Sequence, residues 1–381
     1  MLESQSSLEE RDWEILLRRI RDGKCTPFVG SEASSTFLPS RNQLAEKWAH
    51  QYDYPLSDSQ NIAQVAQYLS VQYDPLYPKE EIQQELSKAP SPNFDDPLQP
   101  HSVLANLNLP IYITTNYDDL MLQALKHHNK DPQRELCRWN PQLQRSQPSI
   151  LQSGFEPSSA NPLVYHLHGV FHSPESLVLT EDDYLDFLVN ISSTEYELPT
   201  RIQRAVTGAS LLFVGYDPTE WDFRVLFRGL IAASEAGLRR ISVTVQLPPM
   251  PSETPKPTME KVQGYLDRYF SLADNRMRVY WGTTEQFLQE LWQRWQGEQL
   301  SNTSSQEKPP LINLGHLLKT MVDAFNKEEL ITLAFELRVD YENLPDPKDS
   351  FARELIVYMQ NRKRLFELID ICRERRPAWE W

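Results

Sequence analysis

Glycine is scarce in this chain, 12 residues in 381, where average usage of about 7% would give roughly 27. Each glycine that remains is therefore worth locating. Cysteine is scarcer still. Cys25, Cys137 and Cys372 stand far apart, which excludes a paired-cysteine zinc module, offers no disulfide framework and fits a reducing cytoplasm. Positive charge is also short: 38 Lys and Arg face 53 Asp and Glu, a formal net charge of −15. A general binder of phosphate backbones needs clustered cations to displace counterions, so no direct nucleic-acid partner is expected. No apolar run approaches the roughly 18 residues of a membrane span, and the opening Met1-Leu2-Glu3-Ser4 is polar and acidic. A soluble, cytoplasmic protein without membrane contact is the expectation.

The 40% hydrophobic and 10% aromatic content excludes an intrinsically disordered chain, and the length predicts two domains at roughly 150 residues each. Short, apolar, β-prone runs recur at 25–30, 111–116, 163–169, 211–215, 241–245 and 277–281. Helical patterns fall around them at 8–21, 42–52, 60–72, 79–87, 118–128, 181–190, 200–207, 220–236, 259–270 and 284–296. Alternation of helices with near-continuously apolar strands predicts an α/β fold, a Rossmann-like parallel sheet with helices on both faces. Residues 90–100 and 133–161, rich in Pro, Ser, Asn and Gln, read as loops or insertions on the sheet's rim. Residues 297–310 contain Ser-Asn-Thr-Ser-Ser-Gln-Glu-Lys-Pro-Pro and read as a linker between a domain at 1–296 and a small all-α bundle at 311–381. The bundle segment holds 11 basic and 13 acidic residues, so the acidity resides mainly in the first domain. Helices are expected there at 314–325, 327–337, 350–361 and 363–374, the second opened by Asn326 as an N-cap before Lys327-Glu328-Glu329. With no metal-binding or catalytic constellation in it, the bundle reads as an adaptor for a protein partner ahead of a purely structural cap.

Open parallel sheets bind ligands beyond the carboxyl ends of their strands, where loops converge and helix N-termini present free amides. Gly30, Gly169 and Gly215 end predicted strands and Gly282 follows another. Close approach of the backbone to a ligand would explain four glycines at one end of a sheet; strand-to-loop turns needing positive φ would explain them equally. Thr114-Thr115-Asn116-Tyr117-Asp118-Asp119 sets polar groups between an apolar strand and a helix. Asn116 offers an amide that donates and accepts toward a ribose or a water, while Asp118 is a carboxylate ligand or a helix cap. In Tyr165-His166-Leu167-His168-Gly169, alternation sets both histidines on one face, His168 nearer the strand end. His168 suits general-base work on a hydroxyl or water near neutral pH, and His166 a satisfied structural place nearer the core. Metal ligation by the pair lacks a matching carboxylate or cysteine motif.

The order Gly30-Ser31-Glu32-Ala33-Ser34, Thr115-Asn116-Tyr117-Asp118, Leu167-His168-Gly169 and Leu211-Leu-Phe-Val-Gly215-Tyr216 resembles the bacterial SIR2-like, sirtuin-related family, and in particular the SIR2 domains of antiphage defence effectors. The resemblance covers about residues 20–295. The tail, with Phe325-Asn-Lys-Glu-Glu-Leu330 and Asp340-Tyr-Glu-Asn-Leu344, is similar to the effector-associated, death-fold-like adaptor domains of bacterial conflict systems. The resemblance implies Asn116 and His168 as the catalytic pair and Asp118 as the acidic residue on the nicotinamide side of NAD. It implies Gly30, Ser31, Ala33 and Ser34 as the phosphate loop, with Thr115, Gly215 and Tyr216 completing the nucleotide site. NAD would be the substrate, attacked at the nicotinamide ribose C1′ through an oxocarbenium-like state, with water as acceptor and nicotinamide and ADP-ribose as products. No zinc is expected.

One departure stands out. Glu32 occupies the family's second glycine position, and a Cβ with a carboxylate beside a pyrophosphate opposes the logic of a glycine-lined anion site. NAD hydrolysis, switched on through the adaptor domain or by oligomerisation, ranks first. A nucleotide sensor with a degenerate phosphate loop ranks second. NAD-dependent protein deacylation ranks third, since its four-cysteine zinc module cannot be built from this chain.

Overall fold

In the computed structural model the described residues are 8–191, 198–216, 223, 243–247, 261–262, 264–265, 268, 278–305, 314–337, 339, 345, 347–362, 365–376 and 379. The first elements are α1 (Glu10–Arg21), β1 (Cys25–Val29), α2 (Arg41–Gln51), α3 (Ile62–Gln72), α4 (Tyr77–Ser87), α5 (Pro100–Ala105), β2 (Ile111–Thr114), α6 (Leu120–His127), β3 (Gln133–Leu136), α7 (Pro141–Ser146) and β4 (Leu163–His166). There follow α8 (Glu181–Ile191), α9 (Thr200–Thr207), β5 (Ser210–Val214), β6 (Val243–Leu247), β7 (Arg278–Trp281) and α10 (Thr284–Ser305), then α11 (Leu314–Ala324), α12 (Lys327–Glu336), α13 (Lys348–Asn361) and α14 (Leu365–Arg375). The expected helices at 220–236 and, for the most part, 259–270 lie outside the described residues.

The seven strands form one sheet in the order β3-β4-β2-β1-β5-β6-β7, every neighbouring pair parallel. Alternation along each strand explains why both faces are covered. Cys25 and Val29 of β1, Tyr112 of β2, Val164 of β4, and Leu212 and Val214 of β5 join one core, with Trp13 and Leu16 of α1 and Phe287 of α10. Phe28, Ile113, Tyr165, Leu211 and Phe213 face the opposite core, with Phe187 of α8 and Ile202 of α9. A third cluster is built from α2, α3 and α4 around Trp48, Val65 and Leu69, and includes Leu177 and Leu179. Pro27 sits within central β1 and has no N–H to donate; pairing with β2 accordingly begins at Phe28, matched to Ile113. The chain starts at β1, moves to one side with β2 and to the other with β5, so the strand order reverses at the carboxyl end of β1. Such a switch point leaves the crevice where open sheets bind ligands.

Two sequence expectations are corrected. The stretch 133–161, read as a rim loop, contains β3, α7 and a short 3₁₀ turn. β3 escaped because Gln133-Arg134-Glu135-Leu136 is polar, as befits an edge strand that pairs on one side only. The linker expected at 297–310 is helical in its first part, since α10 continues through Gly297 to Ser305; 306–310 lie outside the described residues.

By internal contacts the chain divides into units Met1–Gly297 and Glu298–Trp381. The second unit has its own core of Leu317, Met321, Leu330, Leu333, Phe351, Leu355, Met359 and Leu368. Asn326 caps α12 in a reciprocal box, its Oδ1 accepting from the Glu329 amide at 2.9 Å and its own amide donating to the Glu329 carboxylate at 2.8 Å. Arg376 pairs with Glu329 at 2.7 Å and lies 5.1 Å from the Phe325 ring centre, tying α14 back across the start of α12.

Candidate functional site

The loops after β1 and β5 are locked to each other by backbone bonds. Gly30 donates to the Val214 carbonyl at 2.8 Å, Glu32 to the Gly215 carbonyl at 3.1 Å and Ala33 to the Gly30 carbonyl at 3.2 Å. The lock requires glycine at both ends. A Cβ on Gly30 would stand 2.4 Å from the Gly215 oxygen, and one on Gly215, which has φ +78°, would stand 2.5 Å from the Ala33 nitrogen. At Gly169 a Cβ would meet the Ser176 oxygen at 2.2 Å, and at Gly282 it would meet the Tyr280 and Gln286 side chains. The glycines at strand ends are thus demanded by the chain's own packing rather than by approach to a ligand. Glu32 is exposed on the 3₁₀ turn Ser31–Ser34, while Ala33 and Ser34 face inward.

The loop after β2 is wired into this lock. Thr114 Oγ1 donates to the Val29 carbonyl at 3.0 Å and accepts from the Asn116 amide at 3.0 Å. The Asn116 side-chain Nδ2 donates to the Gly30 carbonyl at 3.1 Å and to Ser34 Oγ at 3.3 Å, which leaves its amide oxygen as the acceptor it can offer. Ser34 Oγ donates to Asp118 Oδ2 at 3.1 Å, and the Leu120 amide donates to Asp118 Oδ1 at 2.9 Å. Asp118 therefore holds the first amide of α6, whose N-cap position is Asp119, and the Ser34 hydroxyl at once. Burial raises its carboxyl to about 6, with the Leu120 N–H and Ser34 hydroxyl pulling the other way. Thr115 Oγ1 and the Tyr216 hydroxyl are hydrogen-bonded at 3.0 Å.

β4 ends at His166, so strand alternation does not carry on to His168 and the two histidines part company. The His168 ring packs perpendicular to the rings of Tyr184 and Phe187 of α8, with centres 5.5 and 5.0 Å away. His166 is buried beside Asp119, its Nε2 4.0 Å from the carboxylate. Its ring lies close to the backbones of Asn116 and Gly169, the structural place in the core expected for it. Burial pushes its pKa down to about 4. Asp119 is held by Arg134 Nη2 at 2.6 Å and His172 Nε2 at 2.8 Å, a bridge from β3 to the loop after His168.

These loops border one cleft, about 870 Å³ of space with open solvent included. Ser31, Ser34, Thr115, Asn116, Asp118, His168, Gly215 and Tyr216 all line it. Gly30 and Ala33 stand behind, in the lock. Glu32 does not line it either, and its N–H is already used by Gly215. The opposite wall is apolar, made by Leu38, Leu44, Ile62, Ile82 and Leu86 from the layer that holds α2, α3 and α4. Two functional candidates escaped sequence reasoning. Arg41 lines the cleft from the first residue of α2, and donates from Nη2 to the Tyr184 hydroxyl. The signal for Arg41 was Ser40, whose Oγ accepts from the Gln43 amide at 3.2 Å and so fixes where α2 begins. Tyr184 carried no motif. Among the described residues no group of three or more His, Cys, Asp or Glu could hold a metal ion, and no helix is long and apolar enough to cross a membrane.

Residues 110–269, which include Thr115, Asn116, Asp118, His168, Gly215 and Tyr216, match the family model described as a SIR2-like domain, and 317–377 match effector-associated domain 7. The chain carries a SIR2-like domain followed by an effector-associated domain. The chain is similar over part of its length to proteins named NAD(+) hydrolase ThsA. The one from Enterococcus faecium is 32% identical over 95 residues, 24% of this chain and 17% of that protein. The one from Bacillus cereus (strain MSX-D12) is 26% identical over 140 residues, 37% of this chain and 26% of that protein. The chain thus matches about a quarter or less of the length of these curated relatives. A solved structure from work on the mechanism and regulation of Sir2 enzymes aligns with 76% of this chain and 99% of its own, at 12% identity and a TM-score of 0.33.

Proposed function

We propose that the SIR2-like domain hydrolyses NAD⁺ to nicotinamide and ADP-ribose, and that the chain acts as an effector in bacterial antiphage defence, switched on through its effector-associated domain or by oligomerisation. The observation that carries the reading is the convergence of Asn116, Asp118 and His168 on one cleft at the switch point of a parallel sheet. The relatives named NAD(+) hydrolase support the same reaction.

The substrate fits the chemistry of the lining. With the Glu32 and Ala33 amides committed to the lock and the Ser34 hydroxyl donating to Asp118, the pyrophosphate would be met by the Ser31 hydroxyl and by the Arg41 guanidinium, the cation among the described lining residues. Ionised Asp118 would accept from the nicotinamide carboxamide. As the bond between C1′ and the nicotinamide nitrogen breaks, its electron pair leaves with nicotinamide and positive charge develops on the ribose. Water then bonds to C1′ and gives its proton to His168 or to solvent, while the Asn116 amide oxygen orients the water or a ribose hydroxyl. Catalysis of this kind is chiefly positioning and electrostatic stabilisation, which suits side chains held by a backbone lock.

The test is nicotinamide release from NAD⁺ by the full chain, alone and under conditions that promote assembly. Release is expected, with loss of at least about 100-fold in Asn116→Ala, in line with removal of an oriented polar group from a reacting centre. Absence of release under every condition, with ADP-ribose still bound, would replace hydrolysis by nucleotide sensing.

A further inference from the structure

Tyr184 stands at the centre of an arrangement that neither the family motifs nor the reaction requires. Its ring packs perpendicular to that of His168, at 5.5 Å and 86°, and its hydroxyl accepts a hydrogen bond from Arg41 Nη2. The Arg41 guanidinium carbon also lies 5.7 Å from its ring centre. His168 comes from the loop after β4 and Arg41 from the start of α2, so one buried side chain touches both the histidine and the cation that line the cleft.

α8, which carries Tyr184, is anchored in its first turn. Asp183 Oδ1 pairs with Lys79 Nζ of α4 at 2.8 Å, both side chains largely buried, while Asp183 Oδ2 accepts from the Leu179 and Thr180 amides at 3.1 and 2.9 Å. Gln67 of α3 exchanges two hydrogen bonds with Asp182, at 2.8 and 3.1 Å. Phe187, one turn on from Tyr184, packs perpendicular to the same His168 ring. The helix is therefore fixed to the layer that supplies Arg41 and to the ring that supplies the proposed base.

We infer that Tyr184 is a positioning residue that holds the Arg41 guanidinium and the His168 imidazole in register across the cleft, its hydroxyl serving the cation and its ring serving the histidine. The inference rests on the NAD reading above. The two halves of the role separate by substitution. Tyr184→Phe keeps the ring and removes the acceptor for Arg41; Tyr184→Leu removes both.

The experiment compares the full-length wild type with Tyr184→Phe, Tyr184→Leu, Arg41→Gln and the Arg41→Gln/Tyr184→Phe double variant, reading KM and kcat for NAD⁺, Kd for ADP-ribose, and the ring signals of His168 by NMR without nucleotide. Tyr184→Phe should raise KM and Kd by about tenfold, the scale of one charge-assisted hydrogen bond, with kcat within about threefold. Its His168 signals should stay at their wild-type positions. Tyr184→Leu should move the His168 signals and lower kcat by a further tenfold or more. The double variant should bind no more weakly than Arg41→Gln alone, because both remove one interaction. Unchanged KM and Kd in Tyr184→Phe, additive losses in the double variant, or His168 signals indifferent to Tyr184→Leu would overturn the assignment. A wild type that neither binds ADP-ribose nor releases nicotinamide would instead overturn the NAD reading, and with it the role given to Tyr184.

Discussion

Replacing Gly215 by Ala tests the claim that the two glycines of the site serve a backbone lock. The native φ of +78° is left-handed, which costs an L-residue roughly 1–2 kcal/mol. The added Cβ would also sit 2.5 Å from the Ala33 nitrogen and 2.9 Å from the Gly30 oxygen, backbone atoms that cannot swing aside as a side-chain tip can. Forced overpacking adds about 1–3 kcal/mol, so the total is near 3 kcal/mol, or a fall in Tm of roughly 6–12 °C for a domain of this size. The assay is unfolding by urea and by heat in the absence of nucleotide. Gly297→Ala is the control: Gly297 lies in a helix with nothing within 4 Å of an added Cβ, so it should gain about 0.5–1 kcal/mol. A Gly215→Ala protein as stable as wild type without ligand, yet unable to bind ADP-ribose, would refute the lock and restore approach to a ligand as the reason for glycine.

Further outcomes follow from charge and burial. Asp118, raised to about 6, is ionised above that pH and protonated below it; nicotinamide release should decline as pH falls through about 6, and Asp118→Asn should abolish that acid limb along with most activity. His101 and His166, both pushed down to about 4 by burial, stay neutral in the folded state while the unfolded chain takes up protons below about 6.5. Stability therefore falls as pH drops from 7 to 5, by about 2 kcal/mol for each histidine. Asp118, whose raised value has the opposite sign, offsets about 1 kcal/mol of this, and denaturant titrations at the two pH values should show the net loss. Glu32→Gly should change KM by less than about threefold, since the carboxylate is exposed and the Glu32 N–H is already bonded to Gly215; a large gain in affinity would contradict that placement.

The strands were legible because a sheet covered on both faces needs continuous apolar runs, and β1, β2, β4 and β5 have them. β3 was not, since an edge strand can be polar: Gln133, Arg134 and Glu135 pair through their backbones with β4, and Arg134 spends its charge on Asp119. The strand-end positions of the site followed from topology alone, and Asn116, Asp118 and His168 meet in the cleft because their loops leave adjacent parallel strands at the same end. What the glycines were for was not legible, because contact between the loops after β1 and β5 joins residues 30 and 215, which only the register of the sheet brings together. Arg41 and Tyr184 were hidden for the same reason. Each is an ordinary helix residue until α2 and α8 are packed over the crevice.

The most direct test of the account is the stoichiometric release of nicotinamide and ADP-ribose from NAD⁺ by the full chain, measured by mass spectrometry beside His168→Ala. The account predicts equal amounts of both products from the wild type without any acylated peptide, and a loss of at least about 100-fold in His168→Ala with ADP-ribose affinity retained. Product formation that depends on an acylated peptide, or that survives His168→Ala undiminished, would contradict it.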